Sequence, residues 1–395
     1  MSPRCSKSWL CALFICIGTA AIAADSGTTG SVWSAKQPSH PSGGYDLRSM
    51  LSLGGPDAPD EEQFYEKYEP IRVDADADGN IYVLDGGNIR IQVFDAEGNW
   101  LRSIGQEGEG PGEFKMPARL SVNATGSCAV FDMSGMRISI FDAQGNLVRD
   151  QVTGRPVRNL MLRDDGSLVC VVMVPGGVRV DAFSADGETL WTHGNEGAPS
   201  GGPMVNIENS EDHLAGRLGL TASGVVVASN DEYGLTLLRE GELLGTMRRP
   251  FDRHEFQMPQ PSSDEEGGDD VQVVMIRRGG GDDGDGGRAE VHVGGDGETM
   301  SWNGQELRNM MPKYRPDLRG ALAWPDGRIW ALTADNDGDR IVVDEWSDQG
   351  DYTRRFSLTG EYDWFELGAD GKLYAVSHDE EDYPIVHRLH VGAVE

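Results

Sequence analysis

The sequence predicts an all-β protein, and three observations indicate this class. Glycine is abundant, with 53 residues among 395, whereas apolar stripes with the period of a helix are scarce. Short runs of apolar and β-branched residues alternate with tight Gly-containing turns. A unit of four such runs returns along the chain, and six copies can be distinguished. Six units of four antiparallel strands predict a six-bladed β-propeller, in which each unit forms one blade.

The first copy of the unit spans residues 71–104 and defines the pattern. Two short strands surround a turn at Gly79, and two more surround a turn at Gly98. Glycine suits these turns because the backbone there needs a positive φ, which a Cβ disfavours. Later copies repeat the order, and their turn glycines are Gly126 and Gly145, Gly166 and Gly187, Gly224 and Gly241, Gly327 and Gly350, and Gly371.

The sixth copy lacks its last strand, because the chain ends at Glu395. A spare strand at residues 47–53 precedes the first copy and ends in an apolar residue before glycine, as Ile104 does before Gly105. We therefore expect this N-terminal strand to complete the last blade, which removes open sheet edges. The predicted propeller spans residues 45–395.

The residues before the propeller predict an export signal and a linker. Arg4 and Lys7 form a basic start, residues 9–17 are mostly apolar, and Ala21-Ile22-Ala23 matches a cleavage site with small residues. We therefore expect a signal peptide at 1–24 and a soluble mature chain that is secreted or periplasmic. Residues 25–44 are rich in Ser, Gly, Thr and Pro and predict a flexible linker.

One segment interrupts the repeat. Residues 252–305 form an acidic, Gly-rich insertion between blades. Two apolar runs at 271–276 and 289–293 favour an extended hairpin, and a solvated acidic loop without a task is the alternative.

The charge of the chain restricts its partners. The formal net charge is −31, and such a surface repels phosphate backbones and anionic lipid heads. Nucleic acid is therefore excluded as a partner, and no segment of the mature chain predicts a transmembrane span. A protein, peptide or glycan ligand remains, and we expect a monomer. The alternative is that the charge only keeps an exported protein soluble.

The first copy of the unit also carries a specific resemblance. The strand Ile81-Tyr82-Val83-Leu84-Asp85 after the Gly79 turn, the strand starting at Arg90, and the segment 105–114 resemble an NHL repeat. The resemblance implies a six-bladed bacterial propeller. Related propellers include a zinc-dependent peptide-amidating lyase and lactonases. The lyase has channel histidines where this chain has Asn88-Ile89-Arg90 and Gly135-Met136-Arg137, so a zinc site is not implied.

Loop lengths predict which face of the propeller binds a ligand. The long connections all fall between blades or between the second and third strands, so they project from one face, called here the long-loop face. Two arginines recur near its turns and are candidates for an anionic ligand, with bridging between blades as the alternative. The candidates on this face are Arg90, Arg137, His193, His213 and His378.

One acidic run matches part of a calcium loop. Alternating carboxylates precede the turn at Gly79, and one more occupies the twelfth position of the loop. The candidate calcium ligands are Asp74, Asp76, Asp78 and Asp85. A plain strand turn also explains Asp76, and no cofactor is required by the sequence.

Two functional hypotheses follow. The first is a non-catalytic exported propeller that binds a protein, peptide or glycan on its long-loop face, and no catalytic residue is assigned. The alternative is a metal-dependent lyase or hydrolase with its site at the mouth of the central channel. The sequence contains no nucleophile elbow, zinc-protease motif or phosphate loop, which favours the first hypothesis.

Overall fold

The structure is a computed structural model, which describes residues 31–35, 37–40, 43–67, 69–174, 177–194, 218–221, 223–228, 233–252, 288–292, 299–303, 317–337, 340–360 and 362–393. Within these residues all regular secondary structure is β-strand, so the all-β prediction is confirmed. Two strands precede the blades. They are β1 (Ser31–Ser34) and β2 (Gly43–Gly54).

The first three blades are four-stranded antiparallel sheets with the strands in chain order. Blade 1 consists of β3 (Arg72–Ala75), β4 (Ile81–Asp85), β5 (Arg90–Phe94) and β6 (Trp100–Ile104). Blade 2 consists of β7 (Pro117–Val122), β8 (Cys128–Asp132), β9 (Arg137–Phe141) and β10 (Leu147–Val152). Blade 3 consists of β11 (Val157–Leu162), β12 (Leu168–Val174), β13 (Gly177–Phe183) and β14 (Thr189–His193).

The remaining blades follow the same order, with a hairpin between blades 4 and 5. Blade 4 consists of β15 (Leu218–Thr221), β16 (Gly224–Ala228), β17 (Leu235–Arg239) and β18 (Glu242–Arg248). The hairpin consists of β19 (Arg288–His292) and β20 (Thr299–Asn303). Blade 5 consists of β21 (Leu318–Ala323), β22 (Arg328–Asp337), β23 (Arg340–Ser347) and β24 (Tyr352–Thr359). Blade 6 contains β25 (Trp364–Leu367), β26 (Leu373–His378) and β27 (Pro384–Ala393).

The N-terminal strand β2 lies beside the last strand of the chain. It pairs antiparallel with β27 from Tyr45 to Gly54, in the position of a fourth strand of blade 6. Its first four residues also pair parallel with β24, from Gly43 to Asp46. Blades 5 and 6 therefore share one eight-stranded sheet through β2.

Among the described residues, the buried apolar side chains form six clusters, one between each pair of neighbouring blades. Blades 1 and 2, for example, pack through Val93 and Val130, both fully buried. The cluster between blades 6 and 1 joins Tyr374 to Ile81, so the packing returns to the start of the repeat. The innermost strands contact one another in the same cyclic order, and they surround a central channel.

The predicted turns are present, and the Asp side chains explain their sequence. Gly79 and Gly98 have φ of +84° and +90°, the region that favours glycine. In the second turn, Oδ1 of Asp95 accepts hydrogen bonds from the backbone amides of Glu97 and Asn99, at 3.0 and 2.8 Å. The side chain of Asn99 donates to Oδ2 of Asp95 at 2.8 Å. Each Asp-x-x-Gly-Asn turn is thus closed by its own side chains.

The segment 25–44, predicted as a flexible linker, is partly ordered on the propeller. Its residues 31–34 form β1, which adds to β18 as a parallel fifth strand at the outer edge of blade 4. The ring of Trp33 lies against Gly245 and Gly350, where added Cβ atoms would overlap it. The half-buried indole of Trp33 and the strand pairing offset the entropy that a free linker would retain.

The insertion differs from its predicted hairpin. The structure pairs β19 with β20, so the run that starts at Ala289 pairs with a later segment, Thr299–Asn303. The other predicted partner, 271–276, lies outside the described residues, as do 1–30 and most of the insertion.

Candidate ligand-binding channel

A cavity of about 440 Å³ lies in the central channel. Residues from all six innermost strands (β3, β7, β11, β15, β21 and β25) line it. The volume falls in the range of about 300–1,000 Å³ that is usual for small-ligand sites. The innermost strands all begin on the long-loop face, so their first residues lie at that mouth of the channel and their last residues at the opposite mouth.

Three arginines lie at the long-loop mouth. Arg72, Arg119 and Arg158 come from the first half of β3, β7 and β11, and all three line the cavity. Glu69, which precedes β3, accepts from two of them through one oxygen, Oε2. This atom is 3.3 Å from Nη2 of Arg72 and 2.7 Å from Nη1 of Arg119. Arg119 also donates from Nε to the backbone carbonyl of Arg158 at 2.6 Å, which connects blade 2 to blade 3.

These charges lie largely out of the solvent. The side chains of Arg72, Arg119 and Glu69 are 9%, 16% and 13% exposed. Burying a charge is costly unless an opposite charge and hydrogen bonds compensate it. Among these side chains one carboxylate accepts from two guanidinium groups, which offsets part of the cost of burying them.

The opposite half of the channel carries carboxyl groups. Asp74 and Glu366 occupy equivalent positions of β3 and β25, because each pairs with a tyrosine, Tyr82 or Tyr374, on the next strand. Burial raises the pKa of Asp74 well above its usual range, and the charge of Glu366 raises it further. The backbone amide of Val122 donates to Oδ2 of Asp74 at 2.6 Å. The carboxyl group of Asp74 therefore favours its neutral form next to Glu366.

Blades 4 and 5 give the channel an apolar wall. Leu218, Leu220, Leu322 and Pro325 line the cavity on this side. Leu220 is 42% exposed, so its side chain is an apolar contact available to a ligand. The channel thus has arginines at its long-loop mouth, leucine and proline residues along one side and carboxyl groups in its far half.

The two arginines predicted from the repeat have structural partners on the long-loop face and do not line this cavity. Arg90 donates to Oδ2 of Asp85 at 3.1 Å and to the backbone carbonyl of Asp60 at 3.1 Å. Arg137 donates to the backbone carbonyl of Glu113 at 2.6 Å. Both side chains fasten the long connection that precedes their own blade, which agrees with the bridging alternative.

The two candidate histidines that the structure describes, His193 and His378, lie in different blades. His193 ends β14 in blade 3, and its Nδ1 lies 3.2 Å from the backbone carbonyl oxygen of Gly241. His378 ends β26 in blade 6, with Nδ1 2.8 Å from Asp363 and Nε2 3.3 Å from Glu66. His213 lies outside the described residues.

His378 has a strongly shifted pKa. Hydrogen bonds to Asp363 and Glu66 raise its pKa to about 10, against the smaller opposing effect of burial. The two carboxylates approach opposite nitrogens of the ring, so they stabilise an imidazolium and do not converge with it on a metal. The ion pairs join the link before β3 to blade 6.

The structure separates the four predicted calcium ligands into two places. Asp74 and Asp76 lie where β3 ends, whereas Asp85 ends β4 on the long-loop face, ~10 Å along the strand from Tyr82, which pairs with Asp74. Oδ1 of Asp76 accepts from the backbone amides of Asp78 and Asn80, as in a plain turn. Among the described residues no group of three or more His, Cys, Asp or Glu is arranged to bind a metal. Calcium at these residues stays a prediction.

The arginines of the channel mouth were not predicted from the sequence. Arg72 and Arg119 occupy the same place in successive copies of the unit, opposite Leu84 and Phe131. That recurrence could have indicated a shared position at the channel. However, each arginine is a single charged residue in an otherwise apolar strand, a pattern that surface residues also show. Arg158 belongs to an irregularity in the pairing of β11 with β12, which the sequence does not reveal.

Comparisons with known proteins support the same fold. A family model described as "6-bladed beta-propeller" matches residues 70–168, which contain blades 1 and 2 and the first strand of blade 3. A search of curated protein sequences gives no match. No described residue belongs to a helix with the length and apolarity needed to cross a membrane.

Solved structures of low sequence identity resemble the chain. A protein of Bacteroides fragilis named as exported is 12% identical and has a TM-score of 0.51, covering 91% of this chain and 99% of its own. A DUF4221 family member from Bacteroides vulgatus is 11% identical, with a TM-score of 0.49 and coverage of 89% and 99%. A gluconolactonase from Xanthomonas campestris is 12% identical, with a TM-score of 0.39 and coverage of 82% and 87%.

At these identities the likeness concerns the fold alone. The four-stranded antiparallel sheets, the family match and the first of these structures together define the chain as a β-propeller. Its function has to be argued from its own channel.

Proposed function

We propose that the chain is an exported, non-catalytic binding propeller whose ligand, a protein, peptide or glycan, binds on the long-loop face. The cavity in the channel is the observation that supports this proposal most directly, because its arginine-lined mouth opens where the long connections lie. Binding residues commonly occupy the loop side of a rigid scaffold.

The non-catalytic assignment rests on the chemistry of the described side chains near this mouth. Arg119 at this mouth donates to Glu69 and to the backbone carbonyl of Arg158. We assign no nucleophile and no general base to the residues beside it. The alternative, a metal-dependent lyase or hydrolase, would need several side chains that converge on one metal ion. His193 and His378 belong to blades 3 and 6, so they do not supply such a set. We propose no required cofactor.

The closure of the ring and the signal peptide are also proposals. We infer that the six blades form a closed ring of the NHL type, completed by β2, and that residues 1–24 are a cleaved signal peptide. The pairing of β2 with β27 and the core cluster between blades 6 and 1 support the ring. The basic start and apolar run of the sequence support export.

A ligand screen with a blocked channel tests the binding function. The mature protein would be applied to peptide and glycan arrays beside the variant Leu220→Trp, which places a larger side chain in the cavity. The matched control is Val148→Trp, because Val148 is 64% exposed on β10, at the outer edge of blade 2. We expect ligands that bind the wild type and the control but not L220W. Equal binding by all three proteins would contradict a site in the channel.

A mass-spectrometric assay tests the absence of catalysis. Ligands found on the arrays would be incubated with the protein, with and without added zinc, and analysed for new products. We expect every ligand to be recovered unchanged. Turnover that requires zinc would support the lyase or hydrolase alternative and contradict the proposal.

A further inference from the structure

We propose that the outer edge of blade 1, the strand β6, binds an extended basic segment of a partner protein as a fifth strand of the blade. This edge lies at the rim of the propeller, away from the channel, so the inference goes beyond the proposed ligand site. Three features carry it. They are an open apolar edge, the way in which the chain covers the same edge of other blades, and the charges around β6.

The edge of β6 is open and apolar. β6 is the last strand of blade 1, and no described strand pairs with its outer side. Its first two residues, Trp100 and Leu101, are 46% and 43% exposed. An edge strand presents backbone N–H and C=O groups that a further strand can pair with, and exposed apolar side chains favour such an addition.

Leu101 occupies a position that recurs in the outer strands of the propeller. The pairing of β6 with β5 skips Leu101, which is therefore a β-bulge. The pairing of the outer strands of blades 4 and 5 skips Leu244 and Thr353 in the same way. The three residues are thus equivalent, and the segment that covers the last two indicates what fits against the first.

The chain covers the equivalent edges of blades 4 and 5 with its own N-terminal segment. β1 pairs parallel with β18 in blade 4, and Trp33 and Leu244 both pack against the cluster between blades 4 and 5. Further along, the backbone amide of His40 donates to the carbonyl of Thr353 in blade 5 at 3.0 Å. Leu244 and Thr353 are half-buried, whereas Leu101 is exposed. An extended segment with an apolar side chain therefore fits this kind of edge.

The charges around β6 select a basic segment. Asp95 and Glu97 lie in the turn before the strand, and Glu107 lies in the connection after it. Arg102 of β6 donates to the backbone carbonyl of Ala143 in blade 2 at 2.6 Å, so its guanidinium group is directed to the neighbouring blade. Lysine or arginine at both ends of the added segment would meet carboxylates. A second copy of this chain, with its formal net charge of −31, would instead be repelled.

Synthetic peptides test the inference on the mature protein. The probe is the fluorescent peptide Lys-Lys-Ser-Val-Trp-Ser-Lys-Lys, whose centre copies β1, and fluorescence anisotropy measures its binding. One matched peptide has glutamate in place of lysine, and another carries N-methyl groups on alternate backbone amides. We expect the lysine peptide to bind at least about tenfold more tightly than either, because the first is repelled and the second loses ladder hydrogen bonds. The inference fails if the lysine peptide does not bind, or binds no better than the other two.

Variants connect the binding to blade 1. Leu101→Lys removes the apolar contact and adds a like charge, and we expect the lysine peptide to bind at least about tenfold more weakly. The matched control is Val148→Lys at the bulge of β10 in blade 2, where Arg149 and Asp150 follow in the strand and oppose pairing. Melting curves verify that both variants fold. An affinity that L101K leaves unchanged, or that V148K lowers equally, would overturn the assignment to β6.

Two further measurements separate this inference from a second copy and from the channel. Analytical ultracentrifugation compares the wild type with L101K, and a dimer that L101K dissociates would assign the edge to a second copy and overturn the basic partner. The variant L220W should bind the lysine peptide as the wild type does, and loss of the peptide in L220W would place it in the channel. If the lysine peptide fails to bind while L220W still blocks the array ligands, the edge inference fails and the proposed function stands.

Discussion

At the scale of single residues, buried aspartates connect the blades to the long connections above them. Asp132 ends β8 and is 1% exposed. Its Oδ2 accepts from the backbone amides of Lys115 and Met116, at 2.6 and 2.9 Å, and its Oδ1 accepts from Ser134. Asp85 repeats the arrangement in blade 1, where Oδ1 accepts from the amide of Tyr65 at 3.0 Å. The same aspartate of the repeat thus anchors a different connection in blade 1 and in blade 2.

The substitution Asp132→Asn tests this anchor. Burial opposes the charged form of Asp132, but the hydrogen bonds outweigh burial and lower its pKa. An amide would direct its own donors at the backbone N–H groups, and we expect the variant to lose about 1–3 kcal/mol of unfolding free energy at neutral pH. Denaturant unfolding measures the loss. Asp57→Asn, at an exposed position, is the control and should change the stability little.

The pH dependence gives a second measurement on the same variant. Because the pKa of Asp132 is lower in the folded protein, its stabilisation is present above the unfolded value of about 3.9 and is lost as the pH falls through the folded value. The difference in Tm between wild type and D132N should therefore shrink in acid. A difference that stays constant from neutral pH into strong acid would contradict a stabilising charge at this position.

His378 should remain protonated through neutral pH. Its pKa of about 10 means that its stabilisation is fully present below the unfolded value of about 6.5 and is lost as the pH rises through about 10. We expect the Tm difference between wild type and His378→Gln to be largest near pH 6 and to decrease toward pH 11. The effect will be modest, because water screens a partly exposed ion pair. NMR titration of the ring measures the pKa directly, and a value near 6.5 would contradict the two ion pairs.

At the scale of elements, turns could be predicted from the sequence better than strand partners. The turn at Gly98 is local, because Asp95, Asn99 and the glycine lie within five residues and close it themselves. The strand β1 was not predicted. Its four residues have no periodicity, and its partner β18 lies more than 200 residues away along the chain. Parallel pairing of such distant segments depends on packing, here of Trp33, which no short sequence pattern reveals.

The role of β2 in closing the ring can be tested within the strand itself. Leu53 is 3% exposed and belongs to the cluster between blades 6 and 1, whereas Met50 of the same strand is 65% exposed. We expect Leu53→Ala to lower the unfolding free energy by about 2–5 kcal/mol, since truncation leaves a cavity in this core. Met50→Ala is the matched control and should cost much less. Equal effects in denaturant titrations would contradict closure through β2.

At the scale of the whole molecule, the channel depends on residues that only the ring brings together. The sequence predicts a binding face made of the long loops, but its candidate arginines, Arg90 and Arg137, fasten connections. Arg72, Arg119 and Arg158 belong to three blades and meet only because the innermost strands surround one axis. Sequence spacing gives the position of a residue within a blade. It does not give the direction of a side chain relative to the channel, which depends on packing against the neighbouring blade.

Bound metal is best measured on the whole mature protein, through its metal content and the effect of metal on its Tm. The calcium prediction required Asp74, Asp76, Asp78 and Asp85 to converge, but Asp85 lies at the other end of β4 and accepts from Tyr65 and Arg90. Elemental analysis, together with the Tm measured with calcium and with chelator, tests the calcium prediction, and the non-catalytic proposal expects no stoichiometric zinc. A site saturated at a hundredfold excess over its Kd would add about 2.7 kcal/mol to the stability, so a real site would be visible. A calcium-dependent increase in Tm that Asp76→Asn abolishes would support the calcium prediction, whereas an unchanged Tm without bound calcium would contradict it. Stoichiometric zinc would instead require a ligand set in the residues beyond those described, where His213 lies.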